Sequence, residues 1–409
     1  MGAIGIVRAP FPRYWLSAFL ADFGDGVRFA AFPLLTLQVT DSPSAVAAVT
    51  ALQGLPWILI GLGVGAVVDR WDLRRTMVGV DAFRTILIAA LAVAAAFDAV
   101  DLPLIYLTAF VTGIGSMVRD TAATTALPRL IDRDELERAN GRLVAGGIVG
   151  SELAGPAIGG WLFGIAATLP FALNASSLGI AVLLLLSLPG VFRPLPRRPG
   201  SATGLRAAGG DIRQGLAWLR RDRSVRNLVI AVGVVAAADG AYLAVLVLYV
   251  TQVLHRGSTA YGLLLAFGAV GGIVAGASCA LLTRWIGAPR LLTATVVVMA
   301  GTQLALGLTS DLAVSAVALL CSSGAFAVFN ATSRSMRQRH TPPHLLGRVN
   351  STYLTVGRGA GALGALAGGS LAAAIGVQAP ILAGVPLLVA AALILRPGRR
   401  ADDSLTVTT

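Results

Sequence analysis

Apolar stretches of about 20 residues follow one another along the chain, and each is long enough to cross a hydrocarbon core of about 30 Å as a helix. Twelve can be placed: Trp15 to Val39, Ala45 to Val68, Met77 to Phe97, Leu102 to Leu127, Ala139 to Ala166 and Pro170 to Leu188, then Leu228 to Val253, Tyr261 to Leu282, Leu291 to Leu308, Ala313 to Phe329, Gly347 to Ala374 and Gln378 to Leu395. The expected fold is therefore an all-α integral membrane protein. Mean hydropathy of +0.78 and a charged fraction of 13% agree with this, because a soluble fold cannot hide so much apolar surface.

A net charge of +12 invites a nucleic-acid reading, so the placement of the charge matters. Arg8, Arg13, Arg70, Arg74, Arg75, the stretch from Arg129 to Arg142, Arg284, Arg290 and the stretch from Arg334 to Arg348 all fall on the side of the chain termini. Arg256 stands alone on the other side. This asymmetry follows the positive-inside rule, which places both termini in the cytoplasm and makes the lipid bilayer, not nucleic acid, the partner of the basic residues. The chain has no lysine, which excludes a P-loop nucleotide site and a Schiff-base cofactor. Cys279 and Cys321 lie inside apolar helices without ligand spacing, so no metal and no cofactor is expected. The first apolar run lacks a small-residue cleavage site and is read as a retained helix.

Shifting the sequence by 214 residues lays Asp25 and Gly26 on Asp239 and Gly240, Gln38 on Gln252, Gly54 on Gly268, and Arg70 and Trp71 on Arg284 and Trp285. An offset of 210 aligns Leu136, Arg138 and Asn140 with Leu346, Arg348 and Asn350. The pattern is that of a duplicated six-helix unit, with residues 1–188 and 227–396 as the two bundles and 397–409 as a tail. Residues 189–226 form a linker rich in Pro, Gly and Arg, in which Ile212, Leu216 and Leu219 share one face of an amphipathic helix suited to a membrane surface.

Two motifs and three further stretches carry a family resemblance. GAVVDRWDLRR contains Gly65, Asp69, Arg70, Arg74 and Arg75, and resembles the cytoplasmic loop signature of the major facilitator superfamily. Asp72 and Leu73 stand where that signature usually has Gly. GSELAGPAIGGWL, with Gly155, Pro156, Gly159 and Gly160, is similar to the helix-five signature of antiporters in the superfamily. FGDGVRFAAFPLLTLQVTDSP, ALPRLIDRDELERANG and LLGRVNSTYLTVGRGAGALG resemble the branch that holds macrolide and siderophore exporters. The resemblance implies a bacterial inner-membrane transporter of two pseudo-repeat bundles, exporting a small molecule in exchange for protons. Ala109 and Phe110 stand where that family commonly has a helix-four arginine, and Arg119 lies lower.

Charges inside a membrane cost about 3 kcal/mol or more each and usually face a cavity. Asp22, Asp25 and Arg28 recur at three-residue spacing on helix one, joined by Arg119 and Asp120, Glu152, Asp239 and Arg358 on later helices. The repeat makes Asp25 and Asp239 symmetry mates about 18 Å deep, expected to face one central cavity. Asp25 is the first candidate for proton coupling, with Glu152, Asp239 and Asp22 as partners. Three of them have an alternative as a permanent ion pair: Asp25 with Arg28, and Asp239 or Glu152 with Arg358 or Arg119. Arg28, Arg119, Asp120, Arg358, Gln38, Gln252 and Asn330 are candidate cavity residues, and Asp81 and Arg84 are read as a structural pair near the cytoplasmic end of helix three.

The expected function is export of a small amphipathic molecule by proton antiport with alternating access, by a monomer. An importer of an anionic metabolite, held bidentately by Arg119 or Arg358, is the first rival. A membrane enzyme or receptor that moves nothing is the second. Against the latter, His255, His340 and His344 all sit in loops and no serine or cysteine is placed to pair with them in the membrane.

Overall fold

The structure is a computed structural model that describes residues 10–188, 222–342 and 346–396, apart from residues 62, 63, 65–67, 69, 70, 133 and 134. The described residues form no strand and build twelve helical spans. In the first half these are α1 Pro10–Val39, α2 Pro43–Leu59, α3 Leu73–Ala96, α4 Leu102–Leu130, α5 and α6 Thr168–Leu186. α5 is continuous through Leu136–Gly147, a π-helical stretch Ile148–Ala154 and Gly155–Ile165. The second half holds α7 (Arg223–Leu248, ending in a π turn Tyr249–Val253), α8 (Ser258–Ala277, continued after a break by Cys279–Ile286), α9 Ala288–Leu308, α10 Leu312–His340, α11 Leu346–Ile375 and α12 Ala379–Leu395.

Eight of these helices combine the length and apolarity needed to cross a membrane. α2 and α12 are apolar but shorter, and α1 carries Asp22, Asp25 and Arg28 through its middle. The expected spans agree with these helices closely with two exceptions: α2 ends at Leu59, short of the expected Val68, and α10 runs on to His340, eleven residues past the expected end at Phe329. Gly65, Asp69 and Arg70 of the loop motif, the linker helix with Ile212, Leu216 and Leu219, and the tail lie outside the described residues.

The packing repeats between halves. α1 packs on α5 and α6, α2 on α4, and α3 on α4 and α6. In the second half α7 packs on α11 and α12, α8 on α10, and α9 on α10 and α12. The caps repeat too: the Asp101 side chain accepts from the Leu104 N–H at the start of α4, and Asp311, 210 residues on (311 − 101), accepts from Val314 at the start of α10. Across the halves the extensive contacts are α2 with α11 and α5 with α8, which are also mates under the repeat.

Cap and loop chemistry locates the first helices of the bundle. Asp72, where the family loop usually has Gly, is the N-cap of α3 and accepts from the Arg75 N–H at 2.9 Å. Arg74, two residues on, donates to the last carbonyls of α6 at Leu185 and Leu186, where a cation meets the negative end of a helix. Replacing Asp72 with alanine is expected to cost about 1 kcal/mol of stability. It should lower the apparent melting temperature in detergent while leaving transport per folded molecule intact; an unchanged midpoint would remove the cap from the account.

Among the described residues, apolar clusters join the two halves at one end of the molecule and not at the other. At the end bearing residues 10 and 396, here called proximal, the apolar clusters each belong to one half: Phe11, Tyr14, Met77 and Leu127 in the first, Val225, Leu228, Leu292 and Val349 in the second. At the distal end a single cluster joins Ala30, Leu34 and Val46 of the first half to Tyr242 through Val250 of the second. The distal end also holds close backbone approaches between the two halves. A Cβ on Gly160 of α5 would lie 2.6 Å from the Ser258 carbonyl oxygen and 2.8 Å from Cα of Gly262 on α8. Only the absence of side chains lets these backbones meet.

Candidate functional site

Two groups of polar residues occupy the interior, and they differ in how their charges are satisfied. The first lies within the first half and runs through α1, α2, α3 and α4. Asp25 accepts from Arg28 at 3.1 Å, from the Ser116 hydroxyl at 2.9 Å, and from Arg84. Arg84 also donates to Asp81 at 3.2 Å, and the other Asp81 oxygen accepts from Nε of Arg119 at 2.8 Å. Arg119 then reaches the Ser17 carbonyl at 3.1 Å, and Arg28 reaches the Thr112 hydroxyl at 2.7 Å and the Gln53 side-chain oxygen at 3.4 Å. The Asp81 and Arg84 side chains are fully buried. A charge taken out of water at that depth is stable only when paired and hydrogen-bonded, which describes each member of this chain.

This arrangement corrects the expected sharing of one cavity by Asp25 and Asp239. Asp25, its side chain 24% exposed, is held by two guanidinium groups of its own bundle and is not among the residues lining the cavity that holds Asp239. Asp81 and Arg84 are not a local pair at a helix end but the middle of a network that binds α1, α3 and α4 together. Arg119, 4% exposed, is engaged by Asp81 through Nε and by the Ser17 carbonyl through Nη2, and is not part of the lining of the cavity between the halves. Asp22 faces Gly147 of α5, its carboxylate oxygen 3.3 Å from where a Cβ would stand there. Asp120 is exposed on α4, within electrostatic range of Arg119 and Arg358. Arg358, on α11, stacks on the Trp57 ring of α2 at 4.9 Å and so touches the opposite half. Gln38 and Gln252 are exposed at the distal ends of α1 and α7, away from any central cavity.

The second group lines a cavity of about 480 Å³ between the halves, within the range of pockets that hold drug-sized molecules. Glu152 and Ser151 of α5 stand on one wall, Asp239 and Tyr242 of α7 on another. α10 contributes Ser322, Ser323, Phe326, Asn330 and Arg334, and α8 supplies small and apolar residues such as Ala269 and Gly272. Of the residues singled out from the sequence, Glu152, Asp239, Asn330 and Pro156 meet here; Asp22, Asp25, Arg28, Arg119, Asp120 and Arg358 are not part of this lining.

The sequence explains why the second half leaves its acid free. Under the 214-residue repeat Asp239 takes the place of Asp25, but Tyr242 stands at the position of Arg28, and at the level of Arg84 α9 has only the outward-facing Val298 and the buried Met299, neither of them charged. Neither Asp239 nor Glu152 makes an ion pair among the described residues. The duplicated helix has kept its carboxylate and lost both cations that would neutralise it.

Glu152 owes its placement to the helix-five motif. Pro156 has no N–H to offer the Glu152 carbonyl four residues earlier, and the α-helix gives way there to the π stretch Ile148–Ala154. Gly155 and Gly159 then let α5 lie directly on α1: a Cβ on Gly155 would be 2.8 Å from Cα of Gly26, and one on Gly159 2.5 Å from the Val27 carbonyl oxygen. The motif thus serves three contacts, with α1, with α8 through Gly160, and with the cavity through Glu152.

Arg334, Phe326, Ser322 and Ser323 were not singled out from the sequence. Arg334 reads as part of a positively charged loop until α10 is seen to continue past it. The available signal was the four-residue spacing of Phe326, Asn330 and Arg334, which puts all three on one helical face.

Similarity to known proteins covers nearly the whole chain. A family model described as a transmembrane secretion effector, of the major facilitator type, matches residues 6–405. The multidrug efflux pump Tap of Mycolicibacterium fortuitum is 26% identical over 396 residues, covering 93% of this chain and 94% of that protein. Tap of Mycobacterium tuberculosis is 28% identical over 395 residues, covering 92% and 90%. Among solved structures, the nucleoside transporter NupG superposes with a TM-score of 0.74 at 14% identity, covering 95% of this chain and 98% of that one. A bacterial homologue of the iron transporter ferroportin, in an inward-facing state, superposes with a TM-score of 0.73 at 17% identity, covering 94% and 97%. At these identities the structural likeness speaks for the fold alone.

Proposed function

The chain belongs to the transmembrane secretion effector family of major facilitator transporters, and from that membership we propose that it exports small amphipathic molecules in exchange for protons. The observation that carries the proposal is the central cavity, closed at the distal end and holding two carboxylates, Glu152 and Asp239, that make no ion pair among the described residues. A carboxylate exposed first to one side and then to the other binds a proton or a cationic group, but not both together, and this competition is the elementary basis of exchange. Rocking of the halves about the α2–α11 and α5–α8 contacts supplies the alternation. The coupling role moves from Asp25, committed to Arg28 and Arg84, to these two residues, with Asp22 and Asp120 beside the network.

The positive-inside asymmetry supports reading the proximal end as the cytoplasmic one of a plasma-membrane protein, and on that reading the cavity opens inward. Residues 1–188 and 227–396 are read as the two moving bundles, joined by the 189–226 linker, within a functional monomer. Engagement of Arg119 by Asp81 weakens the anion-uptake alternative, which needed a free guanidinium there.

The test is accumulation of fluorescent amphipathic cations in efflux-deficient bacteria. Wild type is expected to lower accumulation of at least one compound, and a protonophore to abolish the effect. Glu152→Gln and Asp239→Asn, at matched folded protein, should each retain under about a tenth of the export rate, the size of effect that follows removal of an essential proton carrier. Export that persists without a proton gradient would end the exchange reading. Full activity in both variants would return the coupling role to another group.

A further inference from the structure

The cavity is polarised along its length. Glu152 and Asp239 supply negative charge on α5 and α7, while α10 carries Phe326, then Asn330, then Arg334 at successive four-residue steps toward the proximal end. At about 1.5 Å of rise per residue, Arg334 lies roughly 12 Å beyond Phe326 along that helix. Its side chain is exposed, lines the same cavity and has no carboxylate partner among the described residues. Phe29, Leu265 and Phe326 form an apolar stretch of wall in the same cavity.

A lone guanidinium in a cavity that otherwise attracts cations lowers occupancy by any cation that brings no acceptor for it. The same group raises occupancy by a molecule that brings a carboxylate or phosphate, to which a guanidinium donates bidentately. Resting on the export reading above, we infer that Arg334 is a specificity-determining residue, and that the preferred substrate class is an elongated zwitterion. Its cationic group lies against Glu152 and Asp239, its apolar body against Phe326, and its anionic group against Arg334. Asn330, one turn deeper, adds a neutral donor and acceptor between the two ends.

The experiment compares two dyes on one scaffold, a rhodamine ester, which is a simple cation, and the matching free acid, which is a zwitterion. Export of each is measured in efflux-deficient cells making wild type, Arg334→Gln or Arg334→Lys at equal folded protein. Wild type is expected to export the free acid the faster. Arg334→Gln should lower the ratio of free-acid to ester export about tenfold, and Arg334→Lys should recover part of that ratio by keeping the charge. An equal fall for both dyes, or any other outcome that leaves the ratio unchanged, overturns the assignment of Arg334 and leaves the export reading standing. If wild type exports the ester in a protonophore-sensitive way but rejects the acid, the zwitterion inference is wrong and the cavity selects plain cations. If wild type exports neither dye or other amphipath, the export reading fails and takes this inference with it.

Discussion

Replacing Asp81 with alanine is expected to remove most of the folded protein, and to do so far more severely than replacing Arg84 with methionine. The buried network holds three guanidinium groups, Arg28, Arg84 and Arg119, against two carboxylates, Asp25 and Asp81. Removing Arg84 leaves two of each, and the pairs Arg28 with Asp25 and Arg119 with Asp81 survive intact. Removing Asp81 leaves three cations sharing one carboxylate and strips Arg119, only 4% exposed, of its direct partner. An uncompensated buried charge costs about 3 to 5 kcal/mol, a large share of the roughly 5 to 15 kcal/mol that holds a typical protein folded. Folded yield and apparent melting temperature in detergent, for both variants beside wild type, read the difference. Equal losses would show that packing around Arg84, whose stem fills the space left by Gly115, outweighs the count of charges.

This network also shows where the sequence stopped being legible. Hydropathy located the helices because a bilayer demands about 20 apolar residues per crossing, and the charge bias and the 214-residue repeat were visible in residue order alone. The three-residue spacing of Asp22, Asp25 and Arg28 suggested one shared face of α1, but it could not say what each meets: Asp22 lies against Gly147 of α5, and Asp25 and Arg28 against α2, α3 and α4. Asp25 is held by Arg84 and Ser116, which lie 59 and 91 residues away in the chain. The repeat suggested that Asp25 and Asp239 would behave alike, whereas their surroundings had diverged at Tyr242 and along α9, which has no charge at the level of Arg84. That divergence was present in the sequence and becomes interpretable only once α3 is known to pack within reach of α1. Arg334 was hidden for a simpler reason: hydropathy marks where the hydrocarbon ends, and α10 continues beyond it as a polar helix.

Substituting valine for Gly160 is expected to hold the distal end open and to cut export to under about a tenth of wild type, the largest functional loss anticipated outside the cavity itself. The atoms that an added Cβ would meet are backbone, the Ser258 carbonyl oxygen at 2.6 Å and Cα of Gly262 at 2.8 Å, so no side chain can swing aside to make room. α5 and α8 must separate, and the apolar cluster joining Leu34 and Val46 to α7 separates with them. Val46 is fully buried in that cluster, so a cysteine in its place reports the seal directly. In a background where Cys279 and Cys321 are serine, a membrane-impermeant maleimide should label Val46→Cys slowly in wild type and at least about tenfold faster with Gly160→Val. Gly262→Ala, whose Cβ would lie 2.4 Å from the Pro156 carbonyl oxygen, tests the same contact with a smaller group and should move labelling in the same direction. Unchanged labelling in both, with folded protein recovered, would mean that α5 and α8 can part without opening the distal end. The distinction bears on coupling, because an exchanger keeps its gradient only if one end is shut whenever the carboxylates are exposed at the other. A helix contact made of glycines can close tightly and still release, since little side-chain surface must be pulled apart each time the halves rock.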